Sequence, residues 1–507
     1  MEKNLLNDKI KNIVETKEKQ GKITRTQNGA LAYSTTFNAV YDLFALGGGY
    51  RLRSESDCID LFKKAFFQNK LLALKCLFYL GDCRGGQGER RFFRICFSWL
   101  ANNYPEIAKP LISLIPEYRR WDDLIYCCLD TPIEDEMISE IKCQLLLDLK
   151  SEHPSLLAKW MPSENASSKK TIAAATQLRK ALNLSSKDYR GILSTLREEI
   201  KVLESLMSKN EWDKIEFNKV PSGAGLRYYN TFMSRPETAE RYKDFIKNKN
   251  AKVKTRVLYP HELVKKAIEN STKVKNSKEE QEILQKYWDN YLELADFEGK
   301  KLNALCVIDT SASMSYFNSG SNVRPIDVAI ALGLYAAQNI EGTFKNSYIT
   351  FSSYPKLIEI NPKEGFVNNV KKIYKNMIVE NTSLEKVFDL LFEVIKKNHL
   401  TEEEVPENII IISDMEIDAL SDEDAENSMN QIRQKWEKSN IKMPKLTYWN
   451  VNAENDIFLE DSVNNINYVS GFSPILFQSI ISDETGYDLC LKILCSSRYN
   501  QINLESK

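Results

Sequence analysis

From residue 301 onward, short apolar runs alternate with helical segments, and no other feature of the sequence constrains the fold as strongly. Five runs are rich in β-branched residues, which is typical of buried strands. These strand candidates are LNALCVID, NSYITFSS, NIIIISDM, LTYWNVNA and INYVSG. The segments IDVAIALGLYAAQNI and LEKVFDLLFEVIKK have helical periodicity instead. Strands that alternate with helices predict a doubly wound α/β domain with a mostly parallel sheet over residues 301–507.

Residues 1–270 have the pattern of one helix after another. In ILSTLREEIKVLESLM, apolar residues recur at three- and four-residue steps, which predicts one helix with a single apolar stripe. The stripe consists of Ile192, Leu196, Ile200, Leu203 and Met207. Many short helices without strands predict a helical-repeat domain shaped as a ring or an arc. Residues 271–300 start polar and end with a helical pattern, so they are expected to form a bridging helix between the two domains.

The chain has 507 residues, more than one hydrophobic core serves, so two or more domains are expected. No run of about 18 apolar residues occurs, and the first 20 residues lack the apolar core of a signal peptide. We therefore expect a cytoplasmic protein without a membrane span. The ten cysteines contain no CxxC pair, so buried, reduced thiols are expected rather than a zinc site.

The two halves of the chain differ in charge. Residues 1–300 contain 50 Lys+Arg and 41 Asp+Glu, a balance of +9, whereas the remainder contains 19 and 29, a balance of −10. A basic half joined to an acidic half favours an anionic partner for the first half. Compositional drift is the alternative, because a few lysines on solvated helix faces give the same balance.

Polar side chains follow two of the predicted strands at the point where each strand ends. Asp309 and Asp414 occupy those ends, Ser311 and Ser313 follow Asp309 at every second position, and Thr382 stands before a predicted helix. Ligands of open α/β sheets bind beyond the carboxyl ends of the strands. Two carboxylates and three hydroxyls are hard oxygen ligands, which predicts a site for Mg²⁺ or Mn²⁺. The alternative is a loop whose Ser and Asp side chains only cap a helix.

The motifs DTSASM and SDM, together with Thr382, resemble the metal-ion-dependent adhesion site of von Willebrand factor A domains. The resemblance implies that Ser311, Ser313 and Thr382 bind the ion directly. It implies that Asp309 and Asp414 act mainly through bound water. An open coordination position is then expected to accept an acidic side chain of a protein partner. The segment ENTSLEK departs from the pattern, because it lacks the glycines that often precede the threonine.

The first half carries a second resemblance. Its motifs KWMPSENASSKKT, DYRGILSTLREEIKVLESLMSKNEW and KVPSGAG resemble an uncharacterised family of plants, fungi, bacteria and large DNA viruses. That family pairs a helical half with a von Willebrand factor A half. The domain order is similar to the Ro autoantigen, whose TROVE domain is a ring of HEAT-like repeats closed by an A domain. Ro proteins bind the ends of misfolded RNAs in the ring and small structured RNAs outside it, so this resemblance implies a ribonucleoprotein.

Basic residues flank a glycine loop in GDCRGGQGERRFFR. The candidate RNA-binding residues in this segment are Arg84, Arg90, Arg91 and Arg94. Arginines beside a glycine loop are able to bind phosphates bidentately, with backbone N–H groups helping. The alternative is a turn whose arginines pair with Asp82, Glu89 or neighbouring helices.

Two further basic pairs are candidates for RNA binding. In PEYRRWDDL, Arg119 and Arg120 are candidates to hold phosphates while a base stacks on Trp121. The favoured interpretation of Trp121, which two acids follow at a helix start, is a packing anchor. Lys169 and Lys170 begin a predicted helix, where a phosphate binds favourably.

Catalytic constellations are absent from the sequence. His153 and His261 lie beside prolines and His399 lies at a helix end, so all three histidines are expected to be structural. No nucleophile–base pair, Walker loop or HExxH motif occurs. We therefore expect a binding protein rather than an enzyme. The first hypothesis is a Ro-like protein that holds single-stranded or misfolded RNA, and the second is a metal-dependent protein-interaction scaffold without an RNA role.

Overall fold

The computed structural model describes residues 22–248, 251, 253, 258–273, 277–293, 303–316, 322–377, 382–417, 425–459, 466–480, 484 and 486–504. Two regions follow one another along these ranges, a helical region and then an α/β region. Helices and strands are numbered along the described ranges. Within those ranges, no helix is both long enough and apolar enough to cross a membrane.

The helical region starts with an antiparallel hairpin of β1 (Ile23–Arg25) and β2 (Leu31–Tyr33). The helices described after it are α1 Ala39–Leu46, α2 Glu55–Gln68, α3 Lys70–Gly81, α4 Arg90–Asn103, α5 Pro105–Ala108, α6 Ile115–Tyr118, α7 Trp121–Cys128, α8 Glu134–Asp148, α9 Leu157–Trp160, α10 Lys169–Ala181, α11 Ser186–Glu199, α12 Leu203–Ser208, α13 Ser222–Arg227, α14 Tyr229–Met233, α15 Pro236–Lys247, α16 Pro260–Lys273 and α17 Lys278–Glu293. Short 3₁₀ turns occur at Gly47–Gly49, Lys109–Leu111, Trp212–Lys214 and Phe217–Lys219.

The hairpin is a departure from the predicted all-helical half. Each strand has three residues, too few for an alternating apolar pattern to be visible in the sequence. Tyr33 also forms an antiparallel bridge with Phe458, a residue of the α/β region. A contact made only in the folded chain therefore supports this strand pairing.

A second departure lies within residues 192–207, which were predicted to form one helix. The backbone breaks there between α11 and α12. The N–H of Val202 bonds to the carbonyl of Arg197 at 3.1 Å, and Lys201 between them adopts a φ of +53°. A left-handed residue of this kind is a common way to end a helix. The apolar stripe predicted the buried face correctly, but it carried no signal for the turn.

The α/β region contains one six-stranded sheet. Its strands are β3 Ala304–Asp309, β4 Ser347–Phe351, β5 Leu357–Glu359, β6 Asn408–Ser413, β7 Lys445–Asn450 and β8 Ile466–Ser470. The described α-helices of this region are α18 Ala312–Ser315, α19 Pro325–Asn339, α20 Phe366–Lys375, α21 Leu384–Lys397, α22 Ala425–Lys438, α23 Leu476–Ile480 and α24 Gly486–Leu494. Its 3₁₀ turns occur at Pro362–Glu364, Glu402–Glu404 and Ser497–Tyr499.

The strand order is β5-β4-β3-β6-β7-β8, and every neighbouring pair is parallel except β4–β5. All five predicted strands are confirmed. Strand β5 was not predicted, because it is a three-residue edge strand with two exposed side chains and no continuous apolar run. Strands β3 and β6 lie at the centre and are buried along their whole length. Such continuous burial is typical of parallel strands that are covered on both faces.

The first helices pack against the far edge of this sheet. The backbone N–H of Tyr468 in β8 donates to the hydroxyl of Tyr41 in α1 at 2.9 Å. Gly48, just after α1, lies so close to β8 that a Cβ there would be 2.6 Å from the carbonyl oxygen of Ser470. The absence of a side chain at this glycine therefore permits the close approach of the two regions.

The last helices of the helical region pack on the other side of the α/β region. Helix α16 packs along α19, and α17 packs along α20. The indole Nε1 of Trp288 donates to Oε1 of Gln338 at 2.7 Å, and its ring stacks on Phe366 with the centroids 4.6 Å apart. The helical region thus contacts the α/β region at both of its ends. Together the two regions line a partly open cavity of about 2020 Å³.

Candidate metal centre and nucleic-acid interface

The ends of β3 and β6 bring the two predicted carboxylates together. These strands are parallel neighbours, with Ile308 paired to Ile412, so Asp309 and Asp414 leave the sheet at adjacent positions. Asp309 is almost fully buried, and its carboxylate accepts hydrogen bonds from the backbone N–H of Ser311 at 2.9 Å and the hydroxyl of Ser413 at 2.5 Å. The carboxyl end of the sheet therefore holds this acid in one orientation.

Two of the three predicted hydroxyls, those of Ser311 and Ser313, lie at the same place. The Oγ atoms of Ser311 and Ser313 are 3.1 Å apart. The hydroxyl of Ser313 also hydrogen-bonds to Asp414, which favours the ionised carboxylate. Thr382 is buried and precedes Ser383, the residue that caps α21 by accepting the N–H of Lys386. The predicted start of this helix is therefore confirmed.

The electrostatics of this site favour a cation. Burial, together with the negative charge of Asp309, raises the pKa of Asp414 to about 7. Two buried carboxylates side by side repel one another, and a divalent cation next to both would remove that cost. No cluster of three or more His, Cys, Asp or Glu side chains occurs in the described ranges. The set here is of another kind, two carboxylates with hydroxyls, and its hard oxygen atoms fit Mg²⁺ or Mn²⁺.

The cavity between the two regions is basic. Eleven Lys and Arg residues line it against five Asp and Glu residues, a balance of +6. Five of the predicted RNA-binding residues are among its lining, namely Arg84, Arg90, Arg91, Arg119 and Arg120. The other three, Arg94, Lys169 and Lys170, are not part of that lining. Lys169 and Lys170 are exposed at the start of α10, where a helix start was predicted.

Most of these arginines are engaged in ion pairs, as the alternative interpretation expected. Arg90, Arg94 and Arg119 bond to the carboxylate of Asp123, and Arg120 bonds to Asp122 at 3.1 Å. Burial alone would raise the pKa of Asp123, but the three positive charges around it lower that pKa overall. These arginines therefore stabilise the junction of α4 and α7, and their charges exceed those of the two acids.

The glycine loop, residues 82–88, does not direct its backbone N–H groups toward a phosphate, which corrects our expectation. The amides of Arg84 and Gly85 donate to the carboxylate of Asp82 at 2.9 and 3.1 Å. Those of Gly86 and Gly88 donate to the backbone carbonyl of the same aspartate. A buried acid needs such partners, so the loop folds around its own carboxylate.

The same aspartate joins the loop to the C-terminal segment. The guanidinium of Arg498 bonds to both oxygens of the Asp82 carboxylate, and the hydroxyl of Tyr499 donates to it at 3.2 Å. The rings of Tyr499 and Tyr118 stack with their centroids 5.7 Å apart. Gly85 lies directly against Arg498, where a Cβ would clash with the guanidinium. At this contact the helical region packs against the C-terminal segment, in addition to its contacts with β8, α19 and α20.

Aromatic side chains lie beside the charged groups of the cavity wall. Trp121, Tyr126 and Trp160 are half-buried and line the cavity. Arg120 stacks on Trp160, with its guanidinium carbon 4.0 Å from the ring centroid. Trp121 also packs against the core, so both interpretations of this residue remain compatible with its position. Cation and ring surfaces next to one another are suited to nucleotides, which present a charged phosphate and a flat base.

Several lining residues were missed by the sequence analysis. Arg51 lies 3.8 Å above the ring of Phe472, and Arg227 and Arg498 also face the cavity. Arg227 and Arg498 are isolated in the sequence, and Arg51 has only Arg53 close to it, so none shows the clustering that identified the other candidates. Their common position arises from the closure of the helical region on the α/β region.

The histidines lie outside any catalytic constellation. His261 is buried against Tyr259 and Phe472, and burial together with nearby Arg51 lowers its pKa to about 3. His153 is exposed, and His399 is the left-handed residue after α21. The predicted position of His399 at a helix end is therefore confirmed.

Both regions are similar to domains of unknown function. Residues 303–489 match DUF7788, and residues 26–115 and 143–299 match DUF2828. The chain is also 27% identical over 506 residues to an uncharacterised protein of Acanthamoeba polyphaga mimivirus. That similarity covers 90% of this chain and 84% of the viral protein. The two domain matches adjoin between α17 and β3, where the described elements change from helices to alternating strands and helices.

Proposed function

We propose that this chain is a Ro-like RNA-binding protein that holds single-stranded RNA in the cavity between its two regions. The observation that carries the proposal is the cavity wall, where a charge balance of +6 adjoins half-buried Trp and Tyr rings. Positive charge attracts the phosphate backbone, and aromatic ring faces stack on bases. In a duplex the bases stack on one another, so only single-stranded RNA offers them to a protein ring.

The size of the cavity supports a polymeric ligand. Pockets for small molecules measure roughly 300–1,000 Å³. At about 2020 Å³, this cavity exceeds what a metabolite needs. Its walls come from both regions of the chain, so a strand held there would contact the helical repeats and the α/β domain together.

The fold supports the resemblance on which the proposal also rests. A long helical region precedes a sheet of order β5-β4-β3-β6-β7-β8 with one antiparallel edge strand. The helical region returns to the sheet edge through α1 and to the opposite side through α16 and α17. This arrangement is the one expected of a ring of HEAT-like helices that a von Willebrand factor A domain closes.

A direct test compares single-stranded and duplex RNA. We expect a fluorescein-labelled 12-nucleotide single strand to bind the full chain more tightly than the same sequence in a duplex, measured by fluorescence anisotropy. Affinity should fall steeply between 50 and 200 mM salt, since bound phosphates release counterions. Equal affinity for both forms, or no dependence on salt, would contradict an interface built from phosphate contacts and stacking.

A second function, metal-dependent binding of an acidic protein partner, is favoured by the adjoining Asp309 and Asp414. In this proposal Ser311, Ser313 and Thr382 hold Mg²⁺ or Mn²⁺ directly, and the two aspartates act through bound water. The ion would supply a positively charged coordination position for a partner's carboxylate. The proposal places this partner at the carboxyl end of the sheet.

Replacing Asp309 by alanine is expected to weaken Mg²⁺ binding. An ion that binds only the folded state stabilises it by about 2.7 kcal/mol when its free concentration is a hundredfold above Kd. Mg²⁺ should therefore raise the melting temperature of the wild type more than that of the variant. Asp309→Asn should behave like Asp309→Ala toward Mg²⁺, because it removes the charge, although its single amide oxygen still accepts the hydrogen bond from the Ser311 N–H.

Two controls accompany this prediction. Asp60 is an exposed acid on α2, so Asp60→Ala should retain the full Mg²⁺ shift. RNA affinity should be unchanged in the Asp309 variants, because the cavity residues lie elsewhere. Equal Mg²⁺ shifts in the wild type and in both Asp309 variants would mean that the loop only caps a helix.

A further inference from the structure

The turn that connects β1 and β2 packs onto the loop that follows Asp414. We define the hairpin turn as residues 26–29 and the metal loop as residues 414–417. The hydroxyl of Thr26 donates to the carbonyl of Ile417 at 2.7 Å, in a buried position. The side-chain amide of Asn28 donates to the carbonyl of Glu416, also at 2.7 Å. These bonds join segments that are almost 400 residues apart in the sequence.

The side chain of Glu416 is held by neutral donors. One carboxylate oxygen accepts the backbone N–H of Gln27 at 2.6 Å, and the other accepts the side-chain amide of Asn455 at 2.7 Å. Glu416 is buried, and it forms no ion pair with a lysine or arginine in the described part of the chain. Hydrogen bonds from the hairpin turn therefore offset part of the cost of burying this charge.

The metal loop needs outside support. Met415 adopts a φ of +68°, which costs a non-glycine residue on the order of 1 kcal/mol. Its N–H bonds to the hydroxyl of Ser413 at 3.0 Å, and the N–H of Glu416 bonds to the carboxylate of Asp414 at 3.2 Å. The Asp414 side chain is thus hydrogen-bonded to the same backbone segment that the hairpin turn contacts.

We propose that the hairpin turn is a clamp that positions Asp414 for metal binding, with Thr26 and Asn28 as its positioning residues. This inference rests on the metal site proposed above. The ion would then be sensed by the first segment of the helical region, because the same hairpin is bridged to the α/β region through Tyr33 and Phe458. The clamp couples occupancy of the metal site to docking of the N-terminal hairpin.

The test measures the Kd for MgCl₂ by isothermal titration calorimetry on the full chain, well below its melting temperature. Thr26→Ala with Asn28→Ala removes both side-chain donors to the metal loop. We expect Mg²⁺ affinity to fall about tenfold, a factor that corresponds to roughly 1.4 kcal/mol. The melting temperature without Mg²⁺ is recorded in parallel, so that loss of fold is separated from loss of positioning.

Two matched variants make the test specific. Gln27→Ala leaves the backbone N–H that bonds to Glu416, so it should bind Mg²⁺ like the wild type. Thr26→Ser, combined with the native Asn28, keeps the hydroxyl and should also bind normally. If the wild type binds Mg²⁺ and the double alanine variant binds it equally well, the clamp is wrong while the metal site stands. If the wild type binds no Mg²⁺, the proposed metal site is wrong, and the proposed clamp is wrong as well because it depends on that site.

Discussion

Replacing Arg84 and Arg227 together by glutamate is expected to weaken single-stranded RNA binding by roughly ten- to a hundredfold at 50 mM salt. Both residues line the cavity and are exposed, and neither forms an ion pair with a described residue. The guanidinium of Arg84 donates to the backbone carbonyls of Glu117 and Arg119, and these bonds leave its positive charge unneutralised. The slope of log affinity against log salt should become shallower by about 1.4, since each lost single-strand phosphate contact contributes roughly 0.7.

The control for this variant reverses the same charge outside the cavity. Lys169→Glu with Lys170→Glu changes the net charge equally, but both lysines are exposed at the start of α10 and lie outside the lining. We expect only a small change in RNA affinity, measured by the same anisotropy titration. If both double variants weaken binding equally, the interface is a general electrostatic one on the surface, and the cavity is not the binding site.

The choice of Arg84 and Arg227 follows from the ion pairs. Reversing Arg90 or Arg119 would also remove one of the arginine partners of Asp122 or Asp123 and place a negative charge beside it, so lost binding would be mixed with lost stability. A choice made from the sequence alone, among the clustered arginines at positions 84–120, would include these structural arginines. The structure separates them from the arginines whose replacement tests the ligand.

Replacing Asp82 by alanine is expected to destabilise the folded chain by about 3 kcal/mol. The carboxylate is fully buried and accepts two backbone N–H groups, the hydroxyl of Tyr499 and both arms of the Arg498 guanidinium. Alanine would leave all of these donors without an acceptor. The value lies at the low end for buried pairs, because Arg498 is 39% exposed and water is able to hydrate it.

Thermal unfolding monitored by circular dichroism measures this effect as a lowered melting temperature. Asp82→Asn should lose less stability, because its side-chain oxygen still accepts the loop amides while the charge is gone. Asp60→Ala should stay close to the wild type, since exposed substitutions usually change stability by no more than about 0.5 kcal/mol. If Asp82→Ala melts at the same temperature as the wild type, the contact between the glycine loop and the C-terminal segment contributes little to the stability of the folded chain.

The α/β region was predictable because its signals are local. Each central strand contains a continuous apolar run, as is typical of parallel strands that are covered on both faces. The positions of Asp309 and Asp414 at two strand ends followed directly. Their proximity followed too, once the sheet was taken to be mostly parallel.

The hairpin turn shows the opposite case. Thr26 and Asn28 stand in a polar segment without periodicity, and nothing in their sequence context marks them as partners of a metal loop. Their contacts with Glu416 and Ile417 exist because the start of the helical region docks beside β7 and β8. Such a contact is a property of the assembled chain.

The clustered arginines at positions 84–120 are an intermediate case, because the sequence predicted their location but not their contacts. Its sequence determined that many positive charges would lie near α4 and α7, because helix starts keep clustered arginines close together in space. Only the tertiary structure decided their roles, since Asp122 and Asp123 neutralise some arginines while Arg84 faces the cavity without an ionic partner in the described part. Local apolar patterns determine where helices and strands form, because they specify which face of each helix or strand is buried away from water. Ion pairing, the contacts between the two regions and the cavity depend on which distant surfaces meet, and no short stretch of sequence determines that.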